Sequence, residues 1–245
     1  MPKVKVFETL YGKEDKRINK INKQLPKPVF RWILCGSTGT GKSNLIKNIL
    51  FSKDYNYKKY FDEIYCFCGS ADDLREYIGY ASINNMRNKI KFAQNFDDDA
   101  VSEIYEGIES DNLRSKKPIN ALFIFDDQIT NDICKPNKMN SLDSIMIKGR
   151  HARISCLVST QKYKALNQNT RKLNTSYVTV FNGTNTEDLE SISKDHCGCI
   201  TPDELMNLFK ENLNKPYSFV SIDCKDPTIS RFKDMEFNNL LSKEE

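Results

Sequence analysis

Gly36, Gly41, Lys42 and Ser43 follow the spacing G-x-x-x-x-G-K-[ST], inside the run Gly36-Ser37-Thr38-Gly39-Thr40-Gly41-Lys42-Ser43-Asn44. A glycine-rich turn that opens a helix lets successive backbone N–H groups converge on one anion, and the helix dipole adds attraction. That arrangement suits a polyphosphate. Residues 36–44 would cradle it, Lys42 would reach the β- and γ-phosphates, and Ser43 would ligate Mg2+. The flanks agree: an apolar run at 29–35 predicts a buried strand, and Leu45, Ile46, Ile49 and Leu50 predict a helix.

A triphosphate site also needs a carboxylate for its metal. The run ALFIF ends in Asp126 and Asp127, which places both acids at the carboxyl edge of a sheet, where ligands of open α/β folds collect. Asp126 is expected to hold Mg2+, and Asp127 to orient or deprotonate the attacking water. A further apolar strand, ISCLVSTQ, ends in Gln161, whose amide can bridge water and a γ-phosphate. Arg150 and Arg171 are candidates for neutralising the transferred phosphoryl from a neighbouring subunit. Either arginine alone could equally serve a helix C-terminus or a surface acid. His151, beside Arg150, reads as a hydrogen-bonded structural residue.

Positioning these groups takes an alternation of strands and helices. Strands are expected at 61–68, 89–94, 120–127, 154–161, 177–181 and 217–224. Helices are expected after Asp97–Asp99, through Ile145 and Ile147, and around 164–173, 185–194 and 202–213. The pattern predicts an α/β fold: a P-loop NTPase with a mainly parallel central sheet flanked by helices. Its 245 residues, 39% hydrophobic, suffice for one such domain with appendages. The division read from the chain is a basic N-terminal arm at 1–28 and a P-loop ATPase domain at 29–245, with its core at 29–182 and a C-terminal extension at 183–245.

Charge is concentrated in the arm. Residues 1–28 hold eight Lys and Arg against three acids, more than the whole chain's net +4. Ile18, Ile21 and Leu25 give the arm an apolar stripe, so it is either a helix packed on the domain edge or a contact for nucleic-acid phosphates. No apolar run approaches the ~20 residues of a membrane-spanning helix, and the N-terminus lacks the features of a signal peptide. An intracellular protein is expected. Its eight cysteines are then free thiols; a zinc site joining Cys66 and Cys68 to the HCGC run at 196–199 has unusual ligand spacing.

Taken together, GSTGTGKS, ALFIFDD, GRHARIS followed by LVSTQ, and NTRKLN resemble the genome-packaging ATPases of large DNA viruses and virophages. These belong to the FtsK-HerA superfamily, of additional-strand, RecA-like architecture, and include the poxvirus packaging ATPase. The resemblance covers about residues 29–182. It implies an ATP- and Mg2+-dependent ring, of five or six subunits, that translocates double-stranded DNA into a preformed capsid. Capsid-vertex or membrane-associated capsid proteins would be partners, and the host cytoplasm, at the viral factory or on the virion, the location. By matching motif it assigns Lys42 and Ser43 to phosphate and metal, Asp126 and Asp127 to the acidic pair, and Gln161 to the sensor.

Many relatives carry Asp-Glu where this chain has Asp-Asp, so a shorter carboxylate must reach the water. The polar segment Gln128–Asn140, with Lys135 and Lys138, is expected to face DNA. Rival readings are a helicase-type motor, a P-loop nucleotide kinase and a non-catalytic protein that binds ATP to assemble.

Overall fold

In the computed structural model, which describes residues 15–55, 57–128 and 139–241, the apolar runs become strands of one sheet. β1 (Arg31–Cys35), β2 (Glu63–Cys68), β3 (Ile90–Ala93), β4 (Ala121–Asp126), β5 (Ile154–Thr160) and β6 (Tyr177–Phe181) are mutually parallel. β7 (Phe219–Asp223) and β8 (Phe232–Lys233) add antiparallel to one edge. The order is β3-β2-β4-β5-β1-β6-β7-β8. β5 is therefore inserted between the strand that feeds the glycine turn and the strand that ends in the acids.

Strands β1, β4 and β5 are buried at every position, as strands covered on both faces must be, which is why they read as unbroken apolar runs. Alternation splits their side chains between two cores. Ile33, Phe123 and Val158 meet α3 (Asp98–Arg114), α4 (Ser141–Lys148), α5 (Thr186–His196) and α6 (Pro202–Asn212) on one face. Trp32, Leu34 and Ile124 meet α1 (Lys42–Phe51) and α2 (Ala71–Ile83) on the other. Helix starts are capped as their sequences suggest. Asp97 accepts from the Ala100 N–H at 3.0 Å, and Thr201 and Glu204 form a reciprocal capping box.

The structure departs from the sequence reading in three places. The stretch 164–173 does not form a continuous helix but a 3-10 turn, Tyr163–Ala165, and a π-type turn, Asn169–Asn174. α2 had no counterpart among the predicted elements. The arm's helix is a short 3-10 turn, Lys16–Lys20, after which Ile21 and Leu25 bury into the α1/α2 core. Arg17 is not free for phosphates, because it pairs with Asp15 at 2.8 Å and Asp62 at 2.7 Å; Lys16, Lys20 and Lys23 stay exposed.

Candidate active site

The glycine turn joins β1 to α1 at the carboxyl edge of the sheet. Gly41 takes φ +103° and Gly39 φ +76°, conformations that cost little only without a Cβ. At Gly36 a Cβ would lie 2.8 Å from both Phe181 Cβ and Thr40 Oγ1, so the glycine lets the turn press on β6. Three contacts fix the turn to its surroundings. The Gly36 N–H donates to Thr160 O at 3.1 Å, the Thr184 hydroxyl to Cys35 O at 3.2 Å, and the Ser37 hydroxyl to Gly183 O.

Lys42 is 7% exposed and lies back over the turn, its ammonium donating to Gly36 O at 2.7 Å and Ser37 O at 2.9 Å. An ammonium has three donors, so one is left for a ligand. Burial lowers the Lys42 pKa, while Asp127 and Asp126 pull it back up.

Asp126 ends β4, 1% exposed. Its Oδ2 accepts from the Tyr77 hydroxyl of α2 at 2.7 Å, and the same hydroxyl lies 3.4 Å from Ser43 O. Burial raises the Asp126 pKa, opposed by the hydroxyls of Tyr77, Ser159 and Ser43 around it. None of these closes a hydrogen bond on Oδ1, which is buried and without a partner. A buried carboxylate oxygen left bare beside the Ser43 side chain is the donor set a hard divalent cation takes. The residues present therefore fit Mg2+.

Asp127 follows in the left-handed region at φ +53°, a conformation Asp tolerates better than most residues. The turn aims its carboxylate away from Asp126 toward Gln161, whose amide donates to Oδ1 and Oδ2 at 3.0 Å each. Gln161 reaches it because β5 lies between β1 and β4. Gln128 is anchored on the other side, accepting from the Phe96 N–H at 2.8 Å and donating to Gln94 O at 3.1 Å. Gly69, after β2, abuts this junction: a Cβ there would fall 2.7 Å from Asp127 O.

Lys42, Ser43, Asp126, Asp127 and Gln161 thus share one edge, with Gly36, Ser37, Thr38, Gly39, Thr40, Gly41 and Asn44 forming the turn and first helical residues. Arg150 and Arg171 do not join them. Arg150 lies at the opposite edge, before β5, exposed, with its Nε donating to His151 Nε2 at 3.2 Å. Arg171 is tied to Asp195 of α5 and sits over the Tyr163 ring at 4.9 Å. Neither reaches the phosphate loop of its own chain. The segment 129–138, with Lys135 and Lys138, lies outside the described residues.

Two site features were not read from the sequence. Tyr77 comes from the unassigned α2. Beside the turn, a cavity of about 340 Å3 is bounded by Gly41, Asn44, Asn48, Phe181 and Tyr217. Tyr217, at φ +64° and 64% exposed, presents its ring there from the loop before β7.

The model of a family described as Poxvirus A32 protein matches residues 18–222. Among solved structures, the genome packaging NTPase B204 from Sulfolobus turreted icosahedral virus 2 in complex with AMP has a TM-score of 0.61 and 20% identity, covering 85% of this chain and 98% of that one. The DNA-packaging ATPase B204 from Sulfolobus turreted icosahedral virus gives 0.61 at 18% identity, over 84% and 96%. At such identities the likeness is one of fold. No curated protein sequence matches the chain.

Proposed function

The chain belongs to the poxvirus A32 protein family, and from that premise we infer that it is a viral DNA-packaging ATPase that hydrolyses ATP to drive double-stranded DNA into a capsid. The observation that carries this reading is the pairing of a phosphate turn with two acids in different states. Asp126 is buried with one bare oxygen; Asp127 is exposed and held by Gln161.

ATP would lie with its phosphates on the N–H groups of residues 36–44 and its base in the Tyr217 cavity. Lys42 supplies its free donor to the β- and γ-phosphates. Ser43 and Asp126 would hold Mg2+, which when bound neutralises charge on the phosphate oxygens. Asp127 accepts a proton from the attacking water, and the Gln161 amide fixes the carboxylate that does so. Because Gln161 and Thr160 are consecutive, the sensor is tied to the phosphate turn through Thr160 O and Gly36.

Completion of the site by a neighbouring subunit belongs to this proposal, in a ring of five or six copies. Arg150 suits a finger acting in trans better than Arg171, since it is exposed while Arg171 is spent on Asp195. Lys135 and Lys138, in the segment after the acids, would meet DNA backbone phosphates without reading sequence. The remaining assignments are the basic arm at 1–28, the ATPase domain at 29–245, capsid-vertex or membrane-associated capsid partners, and the cytoplasmic viral factory or virion.

The test is ATP-dependent displacement of a third strand from duplex DNA, which a double-strand pump achieves without separating the duplex. Displacement with the duplex intact supports packaging. Duplex unwinding instead selects the helicase-type motor, and acceleration of turnover by a small phosphate acceptor but not by DNA selects a nucleotide kinase. Substitution of Lys135 and Lys138 by Ala should bring the DNA-stimulated ATPase rate down toward the DNA-free rate. Tyr217→Ala should raise the KM for ATP several-fold, base stacking on an aromatic contributing about 1–3 kcal/mol.

A further inference from the structure

At the amino edge of the sheet, a cavity of about 500 Å3 is lined by five cations. Arg31 opens β1, Arg150 precedes β5, Lys172 precedes β6, Lys225 follows β7 and Arg231 precedes β8. Because β7 is antiparallel to the rest, its end returns to the edge where the parallel strands begin, and the topology gathers all five in one place. Gly36 begins the phosphate turn five residues beyond Arg31, roughly 16 Å along an extended strand. The two sites occupy opposite ends of β1.

The cations outnumber the acids. Asp195, the one carboxylate lining the cavity, pairs with Lys172 at 3.4 Å and with Arg171. Among the described residues, Arg31, Arg150, Lys225 and Arg231 have no carboxylate within ion-pair distance. Two of these four are buried, Arg31 at 5% and Arg231 at 6% exposed. Arg31 spends one of its five donors on Met146 O, at 2.9 Å. The Arg231 Nε is buried without a hydrogen-bond partner, its guanidinium lying against the Cys224 thiol and the Phe232 ring.

The HCGC run packs against this arrangement. Gly198 takes φ +63°, and a Cβ there would fall 1.6 Å from Arg231 Nη1, so only glycine admits the guanidinium. His196, against Tyr163 at 2.8 Å, has its pKa lowered to about 4, chiefly by burial; it lines the cavity as a neutral ring.

Unmatched buried guanidinium groups are costly, and the counter-charge they lack is an anion with several oxygens, which the planar fork of Arg binds bidentately. We propose that this cavity is a second anion site that takes a small polyphosphate, held by Arg31, Lys225 and Arg231, while Arg150, exposed at its mouth, stays available to a neighbouring subunit. Three unmatched positive charges exceed what one carboxylate or a single phosphodiester offsets. Arg31 and Arg231 are too deeply set for the convex backbone of a duplex, so the ligand is small enough to enter. Free polyphosphate and the phosphate tail of a nucleoside triphosphate share this chemistry.

The experiment uses the full chain carrying Lys42→Ala, which removes phosphate-turn binding, so failure here is separable from failure of the nucleotide site. Calorimetric titration with tripolyphosphate, and separately with ATP, at fixed ionic strength should show one saturable site per chain. Equal affinities identify the polyphosphate alone as the recognised group; tighter ATP identifies the nucleotide as the source. Lys225→Gln, at the exposed rim, and Arg231→Gln should each weaken binding at least tenfold, and Lys225→Gln keeps the test valid should Arg231→Gln not fold. The proposal is overturned if neither compound binds, if Lys225→Gln leaves binding unchanged, or if duplex DNA alone binds.

Discussion

The Tyr77 hydroxyl donates to Asp126 Oδ2 at 2.7 Å and leaves Oδ1 of the same carboxylate buried and bare. One oxygen is thereby fixed in place and the other left open. The tyrosine orients the acid proposed to hold the metal, and at the same time opposes a burial that favours its protonated form.

Removing that hydroxyl should be felt in the pH dependence of turnover. Hydrogen bonds to a charged group contribute about 1.5–3 kcal/mol, equivalent to roughly 1–2 pKa units. In Tyr77→Phe the carboxylate loses a donor that favours its charged form, so its pKa rises further. The acidic limb of the ATPase rate profile should therefore move about one unit or more to higher pH, with the rate recovering as pH increases.

The same burial predicts a trade of stability for activity. The folded-state pKa of Asp126 is raised above its unfolded value, so the folded state is favoured at low pH and loses stability as the carboxylate ionises with rising pH. Asp126→Asn cannot ionise. At neutral pH without nucleotide or metal it should melt higher than the wild type, by about 2–4 °C for each kcal/mol gained, and the gain should shrink in acid, where the wild-type carboxyl is protonated too. Thermal melts at pH 7.5 and pH 4 check this, and the variant should be inactive at both.

Gly69 touches no reactant, yet its replacement should slow the reaction. An alanine Cβ would meet Asp127 O at 2.7 Å and Gln128 Nε2 at 3.1 Å, forcing the turn that aims Asp127 at Gln161 to shift. A displacement of this size costs kcat by about tenfold to a hundredfold. Because the phosphate turn lies on the other side of β5, the KM for ATP in Gly69→Ala should change little. Steady-state kinetics separate the two parameters.

Lys42, Ser43, Asp126 and Gln161 could be placed at one sheet edge before any coordinates, because each stands at the end of an unmistakable apolar run. The strands are covered on both faces, and burial writes itself into their composition. Tyr77 was hidden because α2 buries only Tyr77 and Ala81 along its thirteen residues, too thin a stripe to announce a helix, with Gly79 in its middle. Tyr217 was hidden because its place depends on β7 turning back antiparallel, which no local pattern encodes. Likewise the distance of Arg150 and Arg171 from the phosphate turn follows from strand direction, since a residue just before a parallel strand lies at the edge away from the ligand.

The central claim is that Asp127 activates water on a nucleotide that Lys42, Ser43 and Asp126 hold, and that DNA drives this turnover. It is tested most directly by phosphate release from ATP and Mg2+ by the wild type and Asp127→Asn, with and without duplex DNA. Asparagine tolerates the left-handed backbone at this position, so the substitution removes the base without straining the turn. The account predicts DNA-accelerated release by the wild type, and a loss of at least about a hundredfold in Asp127→Asn with ATP binding retained. Equal rates for the two proteins, or a wild-type rate indifferent to DNA, would contradict it.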